Sequence, residues 1–107
     1  MIKTVWLSFD LSLNGDYDGL FKWLDERSAK ECGDGLAFFE FEFHTTNEQE
    51  ELIRSIAETV SINNKRDRIY AIWMRQDDKV QGSFLFGSRK RAPWDGASGG
   101  HSNDIDG

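Results

Sequence analysis

The sequence predicts an α+β domain built as a two-layer sandwich, with two helices on one face of an antiparallel sheet. Two observations carry that reading. Several stretches alternate their apolar residues with the two-residue period of a strand, while two others repeat them at i, i+3, i+4 and i+7, the period of a helix. The helical stretches are interleaved with the strand-like ones rather than segregated from them, which narrows the choice of plan.

The first strand runs from Ile2 to Asp10, with Val5, Leu7 and Phe9 on one face and Thr4, Trp6, Ser8 and Asp10 on the other. Both faces therefore carry large side chains. Asn14-Gly15-Asp16 supplies a turn and a helix cap, and Tyr17, Leu20, Phe21 and Leu24 then form one helical stripe that ends near Arg27. Ala29 to Cys32 reads as a weak strand, Gly33-Asp34-Gly35 as a turn and Leu36 to Phe43 as a strong strand. In the strong strand Phe39, Phe41 and Phe43 alternate with Phe38, Glu40 and Glu42, and the two strands form a hairpin.

Thr45-Thr46-Asn47-Glu48 has capping-box spacing, so the second helix is expected to start at Thr45 or Thr46. Glu48, Glu50 and Glu51 then lie near the positive end of its dipole. Its buried stripe is Leu52, Ile53, Ile56 and Val60, and it ends at Ile62-Asn63-Asn64. Arg68 to Met74 and Val80 to Phe86, joined by the polar turn Gln76-Asp77-Asp78-Lys79, make a second hairpin, with Val80, Gly82, Phe84 and Phe86 alternating along its last strand. The order β-α-β-β-α-β with one added C-terminal strand is the split βαβ plan of the ferredoxin-like fold. Residues 1–87 form this domain, and residues 88–107, rich in Gly, Ser and Asp, read as a flexible tail.

At 107 residues the chain is one domain that can bury an adequate core without metals or disulfides, and its single Cys32 has no internal partner. With no apolar leader ahead of the first strand, the expected location is the cytoplasm. The apolar runs fall far short of the roughly 18 residues of a membrane helix, so no membrane association is expected. A net charge of −6 repels phosphate and disfavours nucleic acid as a partner.

The sheet face opposite the helices would hold Trp6 and aromatics from its neighbours such as Phe38, too much apolar surface for a monomer to leave wet. A homodimer through this face or an edge strand is the economical solution; the tail folding back through Trp94 is the other. Arg89, Lys90 and Arg91, followed by Trp94, pair basic residues with an aromatic and are the candidate nucleic-acid contacts, joined by Lys65, Arg66 and Arg68 if these cluster. His44 reads as a strand-end or capping residue, His101 as part of the solvated tail beside Asp104 and Asp106, and Cys32 as a half-buried hairpin thiol without a base.

Val5-Trp6-Leu7-Ser8-Phe9-Asp10-Leu11, Ala37-Phe38-Phe39-Glu40-Phe41 and Arg66-Asp67-Arg68-Ile69-Tyr70 together resemble three blocks of the small CRISPR-associated endoribonuclease-like proteins, over residues 2–87. The virulence-associated D-type toxins share that architecture. The resemblance implies a symmetric dimer in which two copies of Asp10 hold Mg²⁺ or Mn²⁺ for phosphodiester hydrolysis, with Ser8, Asp16 or Asp18 nearby. It also implies a mobile-element or defence setting. The acidity, the single proline and the Gly-rich extension depart from the family pattern. Read from its residues alone, Asp10 terminates a strand and accepts backbone N–H bonds. The favoured expectation is a dimeric, non-catalytic accessory or regulatory protein that binds a protein partner. The alternative is a metal-dependent endonuclease using Asp10.

Overall fold

The computed structural model describes residues 1–99; His101, Asp104 and Asp106 lie outside the described residues. Five strands and two helices follow in the order β1 (Ile2–Asp10), α1 (Tyr17–Glu26), β2 (Lys30–Glu31), β3 (Leu36–Glu42), α2 (Glu48–Ala57), β4 (Arg68–Met74) and β5 (Val80–Phe86). The strands form one sheet in the order β2-β3-β1-β4-β5, with each neighbouring pair antiparallel. This is the split βαβ arrangement with a fifth strand on the edge, an α+β fold consistent with a ferredoxin-like sandwich.

Strand alternation decides which side is core. Val5 and Leu7 of β1, Ala37, Phe39 and Phe41 of β3, and Ile69, Ala71 and Trp73 of β4 are buried together with Leu20, Trp23 and Leu24 of α1 and Leu52 and Ile56 of α2. Each large side chain so buried is worth about 1.5–3 kcal/mol. The core is aromatic: Trp23 meets Phe39 edge-on at 5.1 Å, Phe41 meets Phe43 at 4.9 Å, and Phe43 stacks toward Trp73 at 6.5 Å. The Trp23 indole also donates to Ser55 Oγ at 3.1 Å, and the Arg27 guanidinium lies 3.9 Å from its ring.

Helix α1 departs from its expected stripe. Trp23 is fully buried, whereas Phe21 is exposed and packs edge-on against Phe9 and at a tilt against Tyr17. Residues 20, 23 and 24 set the buried face, and Phe21 falls at its margin toward the open end of β1.

Helix α2 starts at Glu48, and its N-cap Asn47 makes no side-chain capping bond, so the capping box at Thr45 does not form. Glu48 instead turns into the core, where one carboxylate oxygen accepts from the Trp73 indole at 3.4 Å. Glu51 takes over the reach-back, accepting from His44 N, Thr45 N and the Thr45 hydroxyl at 3.0–3.2 Å. Partial burial opposes ionisation of Glu51, but these donors hold its pKa below the ordinary value.

The helix also ends earlier than expected, at Ala57, although Val60 remains buried. Two aspartates account for the chain's exit. Asp16 caps α1 through Gly19 N at 2.9 Å and, with its other oxygen, accepts from Ser61 N at 2.9 Å. Asp67, only 1% exposed, accepts from Ser12 N and Asn63 N, both at 2.8 Å. The β1–α1 and α2–β4 connections are thus tied to each other through two carboxylates, and the backbone after Val60 turns outward to donate to them.

The last hairpin closes through Arg75 N to Lys79 O and Asp78 N to Arg75 O, with Asp78 at φ 66°, a left-handed position that Asp tolerates. Along β5 the alternation breaks. The register shifts between Ile69 and Tyr70, so that Phe84 sits opposite Tyr70 but Phe86 opposite Ile69. Phe86 is therefore buried with Leu85 rather than sharing the face of Val80 and Gly82.

Asp67→Asn keeps one acceptor but aims an amide N–H₂ at a backbone donor, and should destabilise the fold by about 2–3 kcal/mol in urea unfolding. Backbone donors lower the pKa of Asp16, and the same kind of bonds outweigh the burial that raises that of Asp67. A folded pKa below the unfolded value gives stability that is present above the unfolded pKa and lost as pH falls through the folded one. Unfolding midpoints should accordingly be flat above about pH 5 and fall below about pH 4, less steeply in Asp67→Asn.

Candidate functional site

The helices cover one face of the sheet and leave the other bare. Register places Phe38 of β3, Trp6 of β1, Ile72 of β4 and Gly82 of β5 in one row across that face. Trp6 and Phe38 lie with ring centroids 6.5 Å apart. Trp6 is 43% exposed, Ile72 40% and Met74 45%. The absence of a side chain at Gly82 has a steric reason, since a Cβ there would sit 2.5 Å from the Tyr70 hydroxyl. Tyr70 folds over that gap and meets Phe84 edge-on at 4.8 Å.

Trp94, 73% exposed, lies in a run of turns after β5 and does not cover this face. Arg89 reaches back, placing its guanidinium 5.4 Å from the Phe84 ring.

At one end of the bare face is a hollow of about 360 Å³ lined by Ser8, Asp10, Arg68, Tyr70, Phe84 and Arg89. Asp10 ends β1 opposite Arg68 in the register, and its Oδ2 accepts from Arg68 Nη2 at 3.0 Å. Asp10 is thus paired with a guanidinium rather than with backbone donors. The Arg68 Nε is buried and has no partner among the described residues.

The residues present do not fit a metal centre within one chain. The position beside Asp10 that a cation would take is held by Arg68, and among the described residues no three His, Cys, Asp or Glu side chains converge. Asp16 is engaged with Gly19 and Ser61, and Asp18 lies in the first turn of α1.

The basic candidates divide. Arg68 and Arg89 share the hollow, Arg91 pairs with Asp95 at 3.1 Å, and Arg66 lines a separate recess with Asp16 and Asp67. Cys32 is exposed rather than half-buried, because β2 is too short to carry it into the sheet. The backbone N–H of His44 is bound to Glu51. That Arg68 and Arg89 line one hollow, while Arg66 does not join them, depends on the β5 bulge and the turn at Gly87.

No helix among the described residues is long and apolar enough to cross a membrane. No family model, curated protein or solved structure matches the chain.

The Asp10–Arg68 pair is largely solvent-exposed on its carboxylate side, where such pairs contribute at most about 1 kcal/mol. Asp10→Asn should therefore shift the free energy of urea unfolding by less than about 1 kcal/mol and leave the far-ultraviolet circular dichroism unchanged.

Proposed function

We propose that this chain is a small non-catalytic accessory or regulatory protein that works as a homodimer through its bare sheet face and binds a protein partner. The single observation behind this reading is the row Phe38–Trp6–Ile72, with Met74 beside it, left without a covering layer on a sheet whose other face carries the two helices. A contiguous apolar surface of this kind on a small domain marks an interaction site. The net charge of −6 supports a protein partner over nucleic acid.

A second reading is favoured by one feature, the convergence of Arg68 and Arg89 beside Asp10 at the rim of the same face. If two copies meet there, a phosphodiester could be held by the arginines and hydrolysed by a metal shared between Asp10 carboxylates, as the resemblance to the CRISPR-associated family implies. The pairing of Asp10 with Arg68 supports the non-catalytic reading, because a metal would have to displace that guanidinium.

Light scattering coupled to size exclusion should give twice the mass of the chain, and Trp6→Glu should give a folded monomer, because it buries an unpaired charge in the contact. A wild-type monomer at micromolar to millimolar concentration would exclude the dimer. Incubation with RNA or DNA and Mg²⁺ or Mn²⁺ should give no cleavage. Metal-dependent cleavage that vanishes in Asp10→Ala while the dimer persists would establish the second reading instead.

A further inference from the structure

The outer edge of β3 is only partly occupied. β2 pairs with Phe38 and Ala37 and stops, while β3 continues to Glu42. Hydrogen-bonding direction alternates along a strand, and two bonds fix its phase here: Phe43 N donates to Met1 O toward β1, and Cys32 N donates to Leu36 O toward β2. The N–H and C=O groups of Glu40 and Glu42 therefore face outward, where no strand pairs with them among the described residues. The next outward donor, His44 N, is closed off by the Glu51 carboxylate at 3.0 Å. What stays open is a window two residue pairs long between the end of β2 and His44.

Beside this window lies a groove of about 600 Å³ between the end of α1, helix α2 and β3. Five glutamates line it, Glu26, Glu40, Glu42, Glu51 and Glu58, against Arg27 and Arg54, a formal excess of three negative charges, of which the Glu51 carboxylate is engaged by His44 and Thr45. Arg27 is already committed, stacked on Trp23 and bonded to Trp23 O and Ser55 Oγ. Glu40 has no ion-pair partner among the described residues, and Glu42 meets only the chain's own N-terminus.

A second copy's β3 is the wrong occupant. Antiparallel pairing of two such edges would bring Glu40 and Glu42 against the same two residues, and like charges directly opposite destabilise a strand pair. We infer that the window takes an extended segment of a partner protein carrying Lys or Arg at alternate positions, added as a strand in line with β2. Residues opposite Glu40 and Glu42 stand two apart on the added strand, and their side chains emerge on the same face as those glutamates. The pattern required is basic-x-basic, with the intervening side chain directed toward the helix layer alongside Phe41. This site uses a sheet edge, so it stands or falls separately from the homodimer proposed through the sheet face.

The test is fluorescence anisotropy of the full chain with a labelled, end-capped peptide Gly-Thr-Lys-Val-Lys-Thr-Gly, and with the same peptide N-methylated on the backbone at both lysines. Saturable binding should weaken by about tenfold or more on N-methylation and in the double variant E40K/E42K, and should be unchanged in Trp6→Glu. Equal binding of the N-methylated peptide would replace strand addition with simple charge attraction and overturn the inference. Equal binding by E40K/E42K, or no binding by the wild type, would overturn it as well. Self-association that persists in Trp6→Glu and disappears when R89A/R91A is added to it would identify the chain's own basic run as the occupant and overturn the choice of an external partner.

Discussion

Among the described residues, two helices of ten residues each roof a five-stranded sheet. Each is about 15 Å long, and packed side by side about 10 Å apart they span roughly the 19 Å between the outermost strands, so they cover one face and no more. That limit shapes the rest of the molecule. The covered face must fill a wide, shallow space with few residues, which explains why Trp23, Phe39, Phe41, Phe43 and Trp73 are drawn into one aromatic layer. The uncovered face inherits every second side chain of the same strands, Trp6, Phe38, Ile72 and Met74 among them, with nothing left in the domain to shield them.

Short helices also leave long connections to be fixed by other means. Asp16 and Asp67 do this by satisfying backbone donors from both crossovers at once, joining Ser12 and Gly19 on one side to Ser61 and Asn63 on the other. Hydrogen bonds to charged acceptors are about twice as strong as neutral ones, and here four of them replace the packing that longer helices would have supplied. The arrangement holds the end of β1 and the start of β4 together, and so sets Asp10 opposite Arg68.

Strand positions were legible in the sequence because their alternation is strong and each has a polar turn beside it; β1 and β4 match the expected ends, and β3 differs only at Phe43. Asp16 as the cap of α1 was legible for the same local reason. Three features were not, and each is a tertiary effect. Trp23 lies outside the i, i+3, i+4 stripe drawn from Tyr17, yet the aromatic layer claims it. The capping spacing at Thr45 is real, but Glu48 turns into the core, where one oxygen accepts from the Trp73 indole and the other is buried without a partner among the described residues, and Glu51 makes the reach-back instead. The bulge that buries both Leu85 and Phe86 leaves no trace in alternation read one strand at a time. Of the candidate site, Asp10, Trp6 and Phe38 could be placed on one face from strand period alone. Whether Arg68 and Arg89 share one hollow could be posed from the sequence but not decided, because it depends on where the chain turns after that bulge.

The chemistry available at Asp10 follows from its neighbour. Arg68 stands opposite it in the register, so the two are brought together by the same backbone pairing that builds the sheet. A carboxylate neutralised in this way is a poor nucleus for a cation site. Arg89, held over Phe84, adds a second positive charge to the same hollow. Its local field therefore favours an anionic side chain over a divalent metal, on a molecule whose overall charge repels polyanions.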